Sequence, residues 1–292
     1  MSWLHAPMPV KPVVRDANPS DRQRLATLVH FETHVHRHLD WRPPLDWLGS
    51  SPYLVVEKGR SLLAALACPP DPPGMAWIRL FAVGAELSAA EAWQMLWPTA
   101  RHQLEKQNIQ HVAAIALQTW FGDLLEASQF VHQHDVVMLV WEQGTPAEPA
   151  EMPFSIVRPM QIEDLPAVQA LDAAAFGLVW RNSLAGLEMA FEQAAVASVV
   201  ENEAGIIGYQ ISTAGPFGGH LARLAVHPDF QGQGIGYTIV CDTLDQFTRR
   251  GVMRVSVNTQ GNNEASLALY QRAGFCKTGE AYRVYECLLG ST

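Results

Sequence analysis

The sequence predicts an α/β chain made of two tandem copies of one domain. The length of 292 residues and an apolar fraction of 48% are sufficient for two buried cores. Strand-like and helix-like apolar patterns alternate through both halves. Ile156-Val157-Arg158 lies 143 residues after Val13-Val14-Arg15, and Phe275 lies 145 residues after Phe130. A nearly constant offset of this kind indicates an internal repeat.

The first half opens with a strand at Val13–Arg15 and a helix that starts at Asn18-Pro19. Asparagine is a favoured N-cap, and proline is tolerated at the first helical position. Ser88 and Glu91 form the capping-box pattern of a second helix that continues to about Lys106. The other predicted elements are strands over 53–56, 62–67, 77–83, 111–117, 130–136 and 137–142 and a short helix over 121–127.

Four histidines fall within nine residues at His30, His34, His36 and His38. If the first helix continues through this stretch, three of them have i, i+4, i+8 spacing. No acidic or cysteine ligand stands at a recognised zinc spacing, and the four cysteines of the chain form no CxxC pair. We therefore expect surface or core-edge histidines, reduced thiols and no metal site.

A segment rich in proline, glycine and glutamate, 143–153, predicts a linker between domains over 1–145 and 154–292. The second domain has the same opening pattern, followed by the strand Met253–Val257 and a helix that ends before Gly274.

The net charge of −9 is shared by both halves, so a direct nucleic-acid partner is disfavoured. No apolar run approaches the roughly 20 residues of a membrane span, and the first residues lack a signal-peptide pattern. These features predict a cytoplasmic protein, a monomer or homodimer, that acts without membrane contact. The negative field favours a cationic substrate.

The stretch His220–Gly236 carries the clearest chemical signal. An apolar strand ends at His227-Pro228, and Gly232, Gly234 and Gly236 lead into an amphipathic helix. Residues without a Cβ atom let several backbone N–H groups point at one anion beside the positive end of a helix. The pattern predicts a diphosphate site, although a glycine-rich helix entry without a ligand remains an alternative.

The spacing excludes two common phosphate loops. A dinucleotide fingerprint needs a third glycine where Tyr237 stands, and a P-loop needs Lys-Ser/Thr where Tyr237-Thr238 stands. The segment Gln231-Gly232-Gln233-Gly234-Ile235-Gly236, which follows Val226-His227-Pro228, resembles the acetyl-CoA signature of the GNAT superfamily of N-acetyltransferases. Further along, Asn263 to Phe275 resembles that family's Asn…Ala-x-x-Leu-Tyr-x-x-x-Gly-Phe segment.

The resemblance implies a mixed, mostly antiparallel sheet flanked by helices in each domain, with a gap between the fourth and fifth strands of the sheet. It implies acetyl-CoA as the donor, and Tyr270 as the group that protonates the departing thiolate. The cofactor-binding residues that it implies are Leu224, Ala225, Val226, Gln231, Gly232, Gln233, Gly234, Ile235, Gly236, Asn263 and Ser266.

Two parts of the site vary within the family. Some relatives carry a glutamate base at the position of Asn258, a residue that cannot take a proton, so Glu286, Tyr285, His220 or a water chain remains open as the base. Aromatic residues at Phe176, Trp180 and Tyr285 predict the acceptor wall. The first two are similar in placement to ribosomal-protein alanine acetyltransferases, although they could equally be core residues.

The first copy lacks these features. Gly84 to Ser88 has one glycine and a carboxylate, Glu86, where the second copy has the glycine turn, and Leu125 stands in the place of Tyr270. We therefore expect no cofactor in this copy. The sequence predicts an N-acetyltransferase that acts by direct attack of a primary amine of a small molecule or peptide N-terminus. A non-catalytic acetyl-CoA sensor or scaffold, and a transferase of longer acyl groups, are the alternatives.

Overall fold

The computed structural model describes residues 11–142, 144 and 156–290, which form two compact units. Unit 1 contains the residues up to Val131 together with those from Glu286 onward, and unit 2 contains His132–Tyr285. The predicted linker lies outside the described residues except for Gly144. Within the described part of the chain, no helix is long and apolar enough to cross a membrane.

Unit 1 has a five-stranded sheet in the order β1-β3-β4-β6-β2 and a separate parallel pair, β5 and β7. Its elements are β1 (Val13–Asp16), α1 (Arg22–Phe31), β2 (His34–Arg37), β3 (Tyr53–Lys58), β4 (Ser61–Ala67), β5 (Met75–Trp77), β6 (Leu80–Val83), α2 (Ala89–Lys106), β7 (His111–Ala116) and α3 (Thr119–Glu126). One face of the sheet packs on α1 through Leu25, Leu28 and Val55.

The expected continuation of the first helix through the histidine stretch is wrong. The helix ends at Phe31, and β2 pairs with β6 from His34 opposite Val83 to Arg37 opposite Leu80. Pairing at the sheet edge therefore overrides the helical pattern, and His36 is buried against Phe121 at a ring distance of 4.0 Å. Among the described residues, no group of three or more ligating side chains is placed to hold a metal ion.

Unit 2 has the strand order β9-β10-β11-β12-β13-β8-β14, and in this order β12 and β13 are paired in parallel. Its elements are β8 (Val131–Glu142), β9 (Ile156–Pro159), α4 (Leu165–Ala175), α5 (Leu184–Glu192), β10 (Val196–Asn202), β11 (Gly205–Gly215), β12 (Gly218–Val226), α6 (Ile235–Arg249), β13 (Arg254–Gln260), α7 (Glu264–Arg272) and β14 (Cys276–Leu288). The predicted mixed, mostly antiparallel sheets with flanking helices are confirmed.

The units differ from the predicted domains at two strands. β8 is one continuous strand rather than the two predicted, because neither glycine nor proline interrupts 131–142. It pairs with β13 from Arg254 opposite Glu142 to Gln260 opposite Val136, so 132–142 belong to unit 2. The end of β14 belongs to unit 1, where the N–H of Leu289 donates to the carbonyl of Gln110 over 2.8 Å.

The same ion-pair network occurs in both units. In unit 1, Arg15 binds Asp21 and Glu57, each at 2.7 Å. The equivalent network of unit 2, at offsets of 143 and 144 residues and with the same two distances, joins Arg158, Asp164 and Glu201. These matching ion pairs support the internal repeat. The few identical residues in the sequence do not by themselves reveal these contacts.

Candidate active site

A gap opens between β12 and β13. The two strands pair only from Gly219 opposite Val255 to Leu221 opposite Val257, although β12 continues to Val226 and β13 to Gln260. A register shift opposite Ile211 and Ser212 leaves Ala222 as an extra residue of β12. Bulges of this kind bend a strand and end its pairing, so the implied separation of these strands is present.

Backbone groups of β12 face this gap. The N–H of His227 donates to Ile207 over 2.8 Å, which places alternate residues back to Arg223 in hydrogen-bonded pairs with β11. Leu224 and Val226 therefore direct their N–H and C=O groups toward the gap, whereas those of Ala225 pair with Tyr209. The carbonyl of Val226 accepts from the Gln231 side chain over 3.1 Å.

The glycine turn presents unpaired donors at the start of α6. Gly232 and Gly234 have φ angles of 76° and 86°, which side-chain-bearing residues rarely adopt. No side chain caps the helix at Gly234. Among the hydrogen bonds of the described residues, none is donated by the N–H of Gly232, Gln233 or Gly234. The turn thus presents free backbone N–H groups of the kind that bind anions at the start of a helix.

The other predicted cofactor residues here have structural contacts. The side chain of Ile235 lies in an apolar cluster with Ile207 and Ile239. A Cβ atom on Gly236 would lie 3.3 Å from Leu269, so this glycine allows α6 to approach α7. Gln233 donates from its side chain to the Asp229 carbonyl over 3.4 Å.

The start of α7 brings Asn263 and Ser266 together. The Asn263 side-chain oxygen caps the helix by accepting from the Ser266 N–H over 3.0 Å. On the same helix Tyr270 is buried, 5.6 Å from the Phe275 ring. Burial raises the pKa of Tyr270 well above its usual range, against the opposing charge of Arg223. The phenol is therefore protonated at neutral pH, as a proton donor must be.

Asn258 faces away from the core that packs on α6 and α7. Val257, its neighbour on β13, lies in that core, and successive strand residues point to opposite faces. The side-chain oxygen of Asn258 is buried without a hydrogen-bond partner. A carboxamide in this position can accept a hydrogen bond from an ammonium group but cannot remove its proton.

The remaining base candidates stand apart from one another. His220 lies on β12 with its Nδ1 atom 2.9 Å from the Ser256 hydroxyl, and burial lowers its pKa. Tyr285 is buried, 5.7 Å from the His132 ring. Glu286 belongs to unit 1. His220 and Tyr285 thus both lie in unit 2, and the choice of base between them stays a prediction.

The sequence interpretation missed a buried charge network behind the acceptor wall. Arg223 donates to the Asp172 carboxylate over 2.8 Å and to the Trp180 carbonyl over 2.6 Å, and its guanidinium lies 3.6 Å from the centre of the Phe176 ring. Asp172 also accepts from the Tyr209 hydroxyl. One arginine therefore holds both predicted acceptor aromatics. In the sequence, this network is indicated only by the charged residue Arg223 inside the apolar run 221–226.

A second missed residue is His134 on β8. Its ring lies 5.2 Å from the Trp180 ring, and its Nε2 atom is buried without a hydrogen-bond partner. Burial lowers the pKa of His134, and the neighbouring His132 lowers it further against the opposing charge of Asp135. The imidazole is therefore neutral at pH 7. Its position in the first half of the sequence gave no reason to place it beside Trp180.

The corresponding helix start of unit 1 carries acidic side chains and a capping box. The N-terminus of α2 is capped by Ser88, whose hydroxyl accepts from the Glu91 N–H while the Glu91 carboxylate accepts from the Ser88 N–H over 2.9 Å. Glu86 lies in front of this end and pairs with Lys58 at 2.7 Å. Two backbone N–H groups at this helix start are therefore already paired with side chains of the protein.

The splayed strand pair and the adjacent glycine turn define an acetyltransferase type of fold. Residues 166–275 match the Acetyltransferase (GNAT) family, and this part of the chain is a GNAT domain. N-alpha-acetyltransferase 30 of Schizosaccharomyces pombe is 36% identical over 67 residues, which cover 23% of this chain and 45% of that protein. N-alpha-acetyltransferase RimI of Mycobacterium tuberculosis is 39% identical over 84 residues, 27% of this chain and 51% of that protein. The chain thus spans about half the length of these curated relatives.

Solved structures share the fold over nearly the whole chain. A tandem GNAT protein from the clavulanic acid biosynthesis pathway superposes with a TM-score of 0.65 and 15% identity, covering 97% of this chain and 99% of that one. A GCN5-related N-acetyltransferase from Sphaerobacter thermophilus gives a TM-score of 0.63 and 16% identity, covering 95% and 96%. The likeness therefore extends to both halves of the chain.

Proposed function

We propose that the protein is an acetyl-CoA-dependent N-acetyltransferase whose single active site lies in unit 2. The observation that carries the proposal is the set of unpaired N–H groups at 232–234 beside the gap between β12 and β13. Two curated relatives are named N-alpha-acetyltransferases, which supports a primary amine as the acceptor.

In this proposal the diphosphate of acetyl-CoA binds the glycine turn, and the extended arm follows the free backbone edge at Leu224. The N–H groups of that edge polarise the thioester carbonyl. The neutral amine attacks this carbon, so that a C–N bond forms and the C–S bond breaks. The proton lost from the ammonium before attack passes to a base or to solvent. The Tyr270 hydroxyl supplies a proton to the departing sulfur and is reprotonated by the second proton, which the nitrogen releases as the amide forms.

The acceptor is a primary amine of a small molecule or a peptide N-terminus, placed between Asn258 and the aromatic wall of Phe176 and Trp180. The Asn258 oxygen accepts from the ammonium before its proton is lost. Orientation by such fixed groups supplies much of the rate in a direct transfer between two bound substrates.

The test is release of free CoA thiol from acetyl-CoA with a panel of small amines and short peptides, with mass spectrometry of the products. Acetylated amine in amounts equal to the released thiol is the expected result. Tight CoA binding without thiol release on any amine would instead indicate a sensor, and preference for a longer acyl-CoA would revise the donor.

A further inference from the structure

Two buried side-chain atoms in the described part of unit 2 have no hydrogen-bond partner: Nε2 of His134 and Oδ1 of Asn258. Leaving a buried donor or acceptor unpaired costs the desolvation energy of that group without the return of a hydrogen bond. Native structures rarely accept that cost without a functional reason, and a bound molecule is one way to satisfy such groups. Both atoms can accept hydrogen bonds.

The two residues lie on one face of neighbouring strands. Asn258 is opposite Met138, and Gln260 is opposite Val136. Side chains alternate along a strand, so Met138, Val136 and His134 share a face, while Leu139 belongs to the core on the other side. Four residues at about 3.3 Å each place His134 about 13 Å along β8 from the position opposite Asn258.

Trp180 connects this face to the gap. Its ring lies 5.2 Å from the His134 ring, and its carbonyl accepts from Arg223 over 2.6 Å. Arg223 immediately precedes Leu224, whose backbone faces the gap. A molecule that lies along the Trp180 ring from the gap therefore reaches His134.

We propose that His134 binds the acceptor, with Nε2 accepting a hydrogen bond from a second N–H group about 13 Å from the reacting amine. The inference rests on the proposed function and narrows its acceptor to an extended molecule. A peptide is the chemistry that fits, because it spans about 3.3–3.6 Å per residue and offers a backbone N–H at each step. His134 would then accept from the N–H of the fifth residue, or from the terminal amide of a four-residue peptide, while Asn258 holds the N-terminus.

The experiment compares peptides of two to six residues, with free N-termini and amidated C-termini, in the parent and three variants. His134→Phe keeps a ring but removes the acceptor nitrogen, and His134→Gln restores an acceptor. His132→Phe is the matched control, since His132 shares the face but is exposed and pairs with Asp135 at 2.9 Å.

In the parent, the acceptor KM is expected to fall about tenfold once the peptide reaches four or five residues. His134→Phe should abolish this gain while keeping the KM for acetyl-CoA and for dipeptides, His134→Gln should recover most of it, and His132→Phe should retain it. If the acceptor KM of His134→Phe fell with peptide length as much as that of the parent, the proposal would be overturned. It would also be overturned if the substitution raised the KM equally for peptides of every length. Calorimetric binding of the same peptides to the CoA-bound protein gives the answer independently of turnover, so failure of catalysis and failure of this inference are distinguishable.

Discussion

Arg223 donates from Nη2 to the carbonyl oxygen of Trp180 across 2.6 Å, although the two residues are 43 positions apart. The arginine is itself anchored on the fully buried carboxylate of Asp172. A charged hydrogen bond thus fixes a segment between α4 and α5 that has little regular structure. The backbone that carries the Trp180 indole is therefore held in place before any substrate arrives, which lowers the cost of ordering this segment on binding.

Trp180→Ala is predicted to raise the acceptor KM about tenfold or more and to leave the KM for acetyl-CoA unchanged, because the ring is expected to cover the acceptor and not the cofactor. Steady-state kinetics with each substrate varied in turn measures both constants. Phe217→Ala, which removes an aromatic ring that is 89% exposed in the β11–β12 turn, is the control. A rise confined to the acetyl-CoA KM would place the acceptor elsewhere.

Gly234→Ala is predicted to weaken CoA binding at least tenfold, as measured by calorimetry. A Cβ atom here would meet nothing within 4 Å, but φ is +86°, and a left-handed conformation costs an L-residue about 1–2 kcal/mol. The turn would relax and its N–H groups would lose their common direction. Gly205→Ala is the matched control, since its φ is +104° in an equally open position away from the turn. Equal affinity losses in both variants would contradict a specific role for Gly234.

Tyr270→Phe is predicted to lower kcat about 10²-fold, within the usual range for a positioned acid, with little change in acetyl-CoA affinity. The ring and its packing on Phe275 are retained while the proton is lost. Tyr237→Phe removes another largely buried hydroxyl from the same core and serves as the control. Parental turnover in Tyr270→Phe at every pH would show that the thiolate leaves without this acid.

One CoA is predicted to bind per chain, because Glu86 and the capping box of Ser88 occupy the equivalent site of unit 1. Calorimetric titration gives the stoichiometry directly. A value of two would refute the proposal that the first copy has lost its cofactor site. Gly234→Ala should then lower the affinity of this single binding event, and no second binding event should appear.

Asp21→Asn is predicted to lower the stability of unit 1 by about 3 kcal/mol near pH 7, the usual cost of breaking a buried ion pair. Hydrogen bonds from Arg15 hold the pKa of Asp21 well below its usual range, against the effect of burial. A carboxyl with a depressed folded-state pKa contributes stability above its unfolded pKa, about 3.9, and loses it as the pH falls toward the folded value. Calorimetric melting should therefore show a parent–variant difference that is greatest near neutrality and shrinks below pH 4. Asp123→Asn, at an exposed position, should show no such difference. If the stability difference between the parent and Asp21→Asn did not change with pH, the stabilising role of the ionised Asp21 carboxylate would be contradicted.

The sequence predicted best what is local along the chain. The glycine turn, the Asn263 cap and Tyr270 lie within short segments whose spacing alone determines which groups share a helix or a turn. The Arg223–Asp172 pair joins residues 51 positions apart, and His134 comes from the opposite side of the predicted linker. Neither contact produces a periodic pattern in the sequence, because each depends on how strands from distant segments pair. The same reason explains the error at β2, where residues with a helical pattern pair with the edge of a sheet instead.

The division of β8 and β14 between the units also constrains the order of events during synthesis. Unit 1 contains residues from Glu286 onward, so it cannot be complete until the ribosome has synthesised those residues. Strand β8 is made long before β13, its partner in the sheet, and must wait unpaired while more than a hundred residues are translated. Expression of 1–145 or 154–292 alone would leave each piece without a strand that the other supplies. Completion of unit 1 therefore follows the synthesis of every residue of unit 2.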